Sequence, residues 1–159
     1  VFLVSHGCYH TKDDPEFATF PPHCIKGTSG AAFVPEALTG KVVTVPNDLR
    51  AAVPRDLSGY QQVLLEKQTL DIFQSRHADE LLDRLDGDAE FVVFGVVTEY
   101  CVQLAAKGLV ERGRRVSVVR DAIETLKAQD GNRTISELQA LGAKFISTEQ
   151  ALTLLNGAK

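Results

Sequence analysis

Apolar residues come in short runs separated by stretches of mixed polar sequence, and the period changes from run to run. Val1-Phe-Leu-Val4 is too short for a helix and reads as a buried parallel strand. Residues 5–35, rich in His, Asp, Pro and Gly, show no clean periodicity and read as one long loop of the kind that carries function. Residues 41–45 predict a minor strand stopped by Pro46, and residues 62–65 a core strand. Ser75 is placed as an N-cap, followed by an apolar stripe of Ala78, Leu81, Leu82 and Leu85. Residues 91–97 form the strongest strand signal, a continuous β-branched and aromatic run that predicts burial on both faces. After Thr98 the period becomes helical, with Val102, Ala105, Ala106, Leu109 and Val110 on one face and Gly113 as the stop. A strand over residues 115–119 follows, ending at Arg120-Asp121. A helix over residues 132–141 places Ile135 and Leu138 inward. A strand over residues 144–147 leads to a last helix, for which Ser147 and Gln150 form a capping box.

Strands alternating with helices across short connections predict an α/β protein: three layers, α-β-α, around a central, mainly parallel sheet. One domain spans residues 1–159 in this reading. In such sheets the site lies beyond the carboxyl ends of the strands, which gathers residue 5 onward, Glu66 and Lys67, residues 98–101 and Asp121. The chain opens on Val1 within a strand, so an upstream first strand and helix are expected outside this sequence.

Composition narrows the function classes. Hydrophobic residues at 44% and charged residues at 24% suit a globular protein, and a net charge of −4 without a Lys/Arg run argues against nucleic acid. No apolar stretch reaches the roughly 20 residues of a membrane helix. Cys8, Cys24 and Cys101 include no CxxC and cannot all pair, which points to thiols in a reducing compartment, the cytoplasm.

Two residues stand out chemically. Cys101 lies where the buried strand gives way to a helix. There the first N–H groups and the positive dipole end favour thiolate over thiol and can hold an oxyanion. The alternative is a small core side chain in a first helical turn. Lys67 follows the apolar run 63–65 and emerges at the sheet's carboxyl edge, where it can steady negative charge; the alternative is an ordinary surface lysine paired to Glu66 or Asp71. Gly27-Thr-Ser-Gly30 is read as a turn, His77 as a solvated side chain, and Cys24 as a packed thiol. Glu99 is read as a helix cap and Asp121 as holding loop backbone.

Three ordered blocks then carry a resemblance. Gly95-Val-Val-Thr-Glu-Tyr-Cys101-Val, Glu66-Lys67 with Phe73, and Asp13-Asp-Pro-Glu-Phe with Pro21-Pro-His-Cys-Ile-Lys-Gly27-Thr-Ser-Gly30-Ala resemble the nicotinamidase/isochorismatase-like cysteine hydrolases. The resemblance implies the isochorismatase-like hydrolase fold and an Asp–Lys–Cys triad with Cys101 as nucleophile and Lys67 as the lysine. It also implies a cis peptide between Val96 and Val97, and an oxyanion hole from the Val97 and Cys101 N–H groups. Cys8, His10, Phe17 and Tyr100 are the implied pocket residues. The family's Asp-x-Gln-x-x-Phe segment is absent, so the general base is expected upstream of Val1 or is missing.

Nicotinamidases carry an Asp-x-His pair and a further His for a divalent ion. Alignment on the loop puts Cys8 at the Asp position and His10 at its His, with no further His before Phe17, and His23 is assigned to the separate Pro-Pro-His-Cys block. His6, Cys8 and His10 alternate and would share one face of an extended chain, a spacing able to hold zinc. The preferred expectation is no required cofactor, with loop residues lining the pocket. The resemblance implies an amidohydrolase that cleaves a small amide through a thioester. Two alternatives stay open: a vinyl-ether hydrolase of the isochorismatase kind, and a non-catalytic ligand-binding or redox-thiol relative. The partner is a small-molecule amide, with no nucleic acid or membrane; a homo-oligomer is compatible with the family.

Overall fold

A computed structural model describes residues 1–157. The chain divides into two compact units, residues 1–84 and residues 85–159.

The first unit is built on β3 (Gln62–Lys67), all six residues of which are buried. Its apolar stretch Val63, Leu64 and Leu65 is 0–4% exposed, and each such side chain contributes about 1.5–3 kcal/mol of transfer free energy. β3 lies between β1 (Leu3–Cys8) and β2 (Val42–Val45), and both pairings are parallel. The three polar residues of β3 are buried with partners. Gln62 Nε2 donates to Ser5 Oγ at 2.8 Å and to Ala37 O at 3.0 Å, and Gln62 Oε1 accepts from Thr39 N at 2.8 Å. Glu66 accepts from Lys26 Nζ at 2.6 Å, and Lys67 donates to Thr69 O at 2.8 Å. The ladder carries β1 four residues beyond the apolar run, to Cys8 opposite Lys67. Residues 5–8 are therefore strand rather than loop, held by pairing that their polar side chains do not advertise.

Ser75 accepts from His77 N at 3.3 Å and caps α1 (Arg76–Leu82), which buries Ala78, Leu81 and Leu82. His77 is 3% exposed rather than solvated: its Nε2 lies 3.1 Å from Asp48 O and its Nδ1 3.4 Å from Glu80. Glu80 also accepts from Val53 N at 3.3 Å, so the helix start ties down the loop over residues 48–53.

The second unit holds a parallel sheet in the order β4 (Glu90–Val96), β5 (Arg115–Glu124), β6 (Lys144–Ile146). β4 is an edge strand in which Phe94 is 59% and Val96 66% exposed. A continuous apolar run predicts burial on both faces, but it does not encode strand order, and here the expectation fails. β5 runs past residue 119 to Glu124, because the register shifts between Val93 and Gly95 and Phe94 faces residues 119–122. Gly95 has φ +122°, a conformation that glycine alone adopts readily.

Helix α2 (Gln103–Glu111) packs on β5 and buries Ala105, Ala106 and Leu109. Gly113 follows its end at φ +72°. α3 (Ala128–Ala140) begins four residues earlier than its apolar spacing suggests. The reason is a cap from elsewhere in the chain: Glu99 accepts from Thr125 Oγ1 at 2.7 Å, Leu126 N at 2.9 Å and Lys127 N at 3.2 Å. Ser147 and Gln150 form a reciprocal capping box at 2.8 and 3.2 Å at the start of α4 (Thr148–Gly157). Asp121 accepts from Thr148 N at 2.8 Å and Thr148 Oγ1 at 3.0 Å, a second cap on the same helix. Among the described residues no helix is long and apolar enough to cross a membrane.

Candidate active site

Two groups of chemistry-bearing residues sit at carboxyl ends of strands, one in each unit.

In the second unit, β4 ends at Val96, and the Val96–Val97 peptide is cis. The chain then enters a π-helical turn over Thr98–Val102, with Val102 N donating to Val97 O at 3.2 Å. Such wide turns recur at functional sites because they push one residue out of the regular helical register. Cys101 lies in this turn and is half-buried. The turn is pinned on both sides. Thr98, 2% exposed, donates through Oγ1 to Glu124 O at 2.8 Å, and Glu99 clamps residues 125–127. Tyr100 faces a small polar cleft shared with Gln103, Arg133 and Glu137.

In the first unit, Lys67 ends β3 with 1% exposure, a buried cation rather than a surface lysine. Its Nζ donates to Cys8 Sγ at 2.9 Å and to Thr69 O at 2.8 Å. Cys24 is half-buried with φ +45°. Burial and then the neighbouring Cys8 push its thiol above the ordinary range.

His6 precedes this pair on β1, and burial, with the Lys67 ammonium second, lowers its pKa from 6.5 to about 4. The unfolded chain therefore binds a proton near pH 6.5 that the folded chain takes up only near pH 4. Between those values the unfolded state holds more protons, so stability falls as pH falls through that window, by up to roughly 3 kcal/mol for this group. Urea unfolding at pH 7.5 and pH 4.5 measures the loss. His6→Gln should remove most of it, and an equal loss in both proteins would refute the assignment.

The loop after β1 assembles a third cluster. His10 is fully buried and pairs with Ile25 through a one-residue parallel bridge. Its Nδ1 lies 3.0 Å from Asp14 Oδ2. Asp14 is held down to about pKa 2, first by the Glu16 N–H and then by Gln68 and His10. It is an ionised acceptor at neutral pH, so Nδ1 carries the proton and His10 Nε2 presents its lone pair. Among the described residues, buried His10 Nε2 has no hydrogen-bond partner; it lies 3.8 Å from Glu16 Oε1, which is 3.6 Å from His23 Nε2. One ligand atom from each of His10, Glu16 and His23 lies within 4.8 Å of the others. Phe17 walls the cluster, with its ring centroid 5.4 Å from that of His10 and 5.7 Å from that of His23.

The metal-ligating possibility is thus carried by a different set from the one the alternation suggested. His6, Cys8 and His10 do not form it, since Cys8 accepts from Lys67 while His10 turns toward Glu16 and His23. His23, assigned to a separate block, belongs to it, and Glu16 was missed. The spacing His10-x5-Glu16-x6-His23, broken by Pro15 and by Pro21-Pro22, was the available signal: proline-bounded turns fold three donors back on one another.

The isochorismatase domain model matches residues 41–150. The chain belongs to the isochorismatase family. The nicotinamidase/pyrazinamidase of Mycobacterium tuberculosis (strain ATCC 25618 / H37Rv) is 25% identical over 140 residues, which cover 86% of this chain and 68% of that protein. The pyrazinamidase of Pyrococcus horikoshii, crystallised in complex with zinc, superposes with a TM-score of 0.69 at 23% identity, over 92% of this chain and 75% of its own. An isochorismatase-like hydrolase from Alkaliphilus metalliredigens gives a TM-score of 0.71 at 21% identity, over 97% and 73%. The parallel sheets and covering helices are those of the isochorismatase-like hydrolase fold.

In this family member, the cluster fits a divalent cation on its own chemistry. Two imidazoles and a carboxylate are ligands suited to zinc or ferrous iron, and His10 Nε2 is a buried ligand atom that the described residues leave without a hydrogen bond.

Proposed function

We propose that this chain is a cysteine-dependent amidohydrolase that cleaves a small amide, such as nicotinamide or a relative of it, through a thioester. It is a hydrolase of carbon–nitrogen bonds outside peptides. The observation that carries the cysteine assignment is the position of Cys101 in a π-helical turn directly after β4, pinned through Thr98 and Glu99.

A base removes the Cys101 proton, and the thiolate attacks the carbonyl carbon. The Val97 and Cys101 N–H groups receive the oxyanion, and Lys67 takes the part of the triad lysine that the family resemblance implies. Collapse of the tetrahedral adduct breaks the carbon–nitrogen bond, and ammonia leaves with a proton. Water then hydrolyses the thioester, releasing the carboxylic acid and restoring the thiol. Phe17 and Tyr100 contribute apolar and aromatic walls in their respective units.

His10, Glu16 and His23 would hold a divalent cation. Such an ion supplies Lewis acidity toward an oxygen or nitrogen donor of a bound ligand.

A panel of small aromatic and aliphatic amides, assayed for ammonia, tests the reading. Release from at least one, with the matching acid formed in equal amount, is expected. Turnover of a vinyl ether with no amide accepted would replace it.

A further inference from the structure

We infer that Asp14 is a positioning residue for a divalent cation held by His10, Glu16 and His23, aligning two of the three ligands at once. The inference rests on the cation reading given above. Asp14 caps the short turn Pro15–Ala18, with Pro15 at its first position, and both of its carboxylate oxygens are committed. Oδ1 accepts from Glu16 N at 2.9 Å, which fixes the backbone that presents the Glu16 carboxylate. Oδ2 faces His10 Nδ1 at 3.0 Å and accepts from Gln68 Nε2 at 2.9 Å. Gln68 directly follows β3, so the loop carboxylate is anchored to the central strand of its sheet.

An ionised carboxylate on Nδ1 settles the tautomer, turns Nε2 into the donor atom and raises its basicity. The second imidazole follows the same logic with a neutral partner: His23 Nδ1 lies 2.9 Å from Pro21 O, and its Nε2 is the atom that lies 3.6 Å from Glu16. The two histidines differ in what holds them. His10 is fully buried and braced by a charge, whereas the His23 side chain is 40% exposed and braced by a backbone carbonyl. Removing the Asp14 charge should therefore act on the better-defined ligand.

The test uses the whole chain stripped of metal and titrated with Co(II), read by visible absorption, and with Zn(II) against a chelating dye. The parent is expected to bind one equivalent of each, and Glu16→Gln or His10→Ala to abolish it. Asp14→Asn is expected to weaken both ions 10- to 100-fold and to shift the Co(II) bands, because the ligand field changes when His10 loses its charged brace. Gln68→Met, which leaves the loop sequence intact, is expected to weaken binding by a smaller factor in the same direction. It serves as the reporter if Asp14→Asn does not fold. Binding within twofold of the parent in the folded variants, with unchanged bands, would overturn the role of Asp14 while leaving the cation site standing. A parent that binds no stoichiometric Co(II), or binding that survives both Glu16→Gln and His10→Ala, would remove the site and the inference with it.

Discussion

Replacing Cys101 by Ala should reduce ammonia release from any accepted amide by roughly ten-thousand-fold or more, the scale seen when a covalent nucleophile is deleted. The loss should fall on kcat rather than on KM, since a pinned turn keeps the surrounding walls in place. Thr98 and Glu99 hold that turn from either side through Glu124 and residues 125–127, so a single side-chain truncation at Cys101 has little to disturb. Cys101→Ser should also be nearly inactive, because a hydroxyl is far less ionised than a thiol at neutral pH. Rapid-quench mass spectrometry provides the positive control: the parent should gain the mass of the acyl group, and neither variant should. Turnover retained in Cys101→Ala would sink the nucleophile assignment, whatever the amide.

Lys67→Met should separate activity from stability. Methionine fills most of the lysine volume without the charge. A buried cation pays a desolvation penalty that its attractions often only just offset, so an apolar replacement of similar size is commonly neutral for folding. The unfolding midpoint should move by only a few degrees, whereas kcat/KM should fall about 100-fold or more if Lys67 is the triad lysine that the family resemblance implies. Lys67 also donates to Cys8 Sγ at 2.9 Å, so Cys8→Ala is the companion variant. Full activity there combined with loss in Lys67→Met places the effect on the lysine charge. Equal activity in Lys67→Met and the parent would reduce Lys67 to a structural residue of β3.

Several elements were legible because their physics is local. The apolar run 63–65 specified a buried strand, Ser75 and Ser147 marked helix starts through their own side chains, and Gly113 marked an end through its backbone freedom. The Cys101 turn was legible in the same way, as an abrupt change from a strand period to a helical one. The failures share a different cause. α3 starts early because Glu99, remote in sequence, caps it, and no pattern near Ala128 records that. His77 is buried because residues 48–53 fold over it, and β5 is long because a register shift lets Gly95 pair with Ile123.

The amino-acid sequence by itself determined the alternation of strands and helices, the parallel sheets that alternation demands, and a cysteine at the end of the strongest strand. These follow from hydrophobic period and turn chemistry, which act over a few residues. Only the tertiary structure decided that Lys67 is buried beside Cys8, and that His10, Glu16 and His23 converge with Asp14 behind His10. Those groupings depend on how a proline-broken loop returns to the carboxyl end of β1. A polar residue's partner across such a loop is set by the folded path of the chain, and the period of its neighbours carries no trace of it.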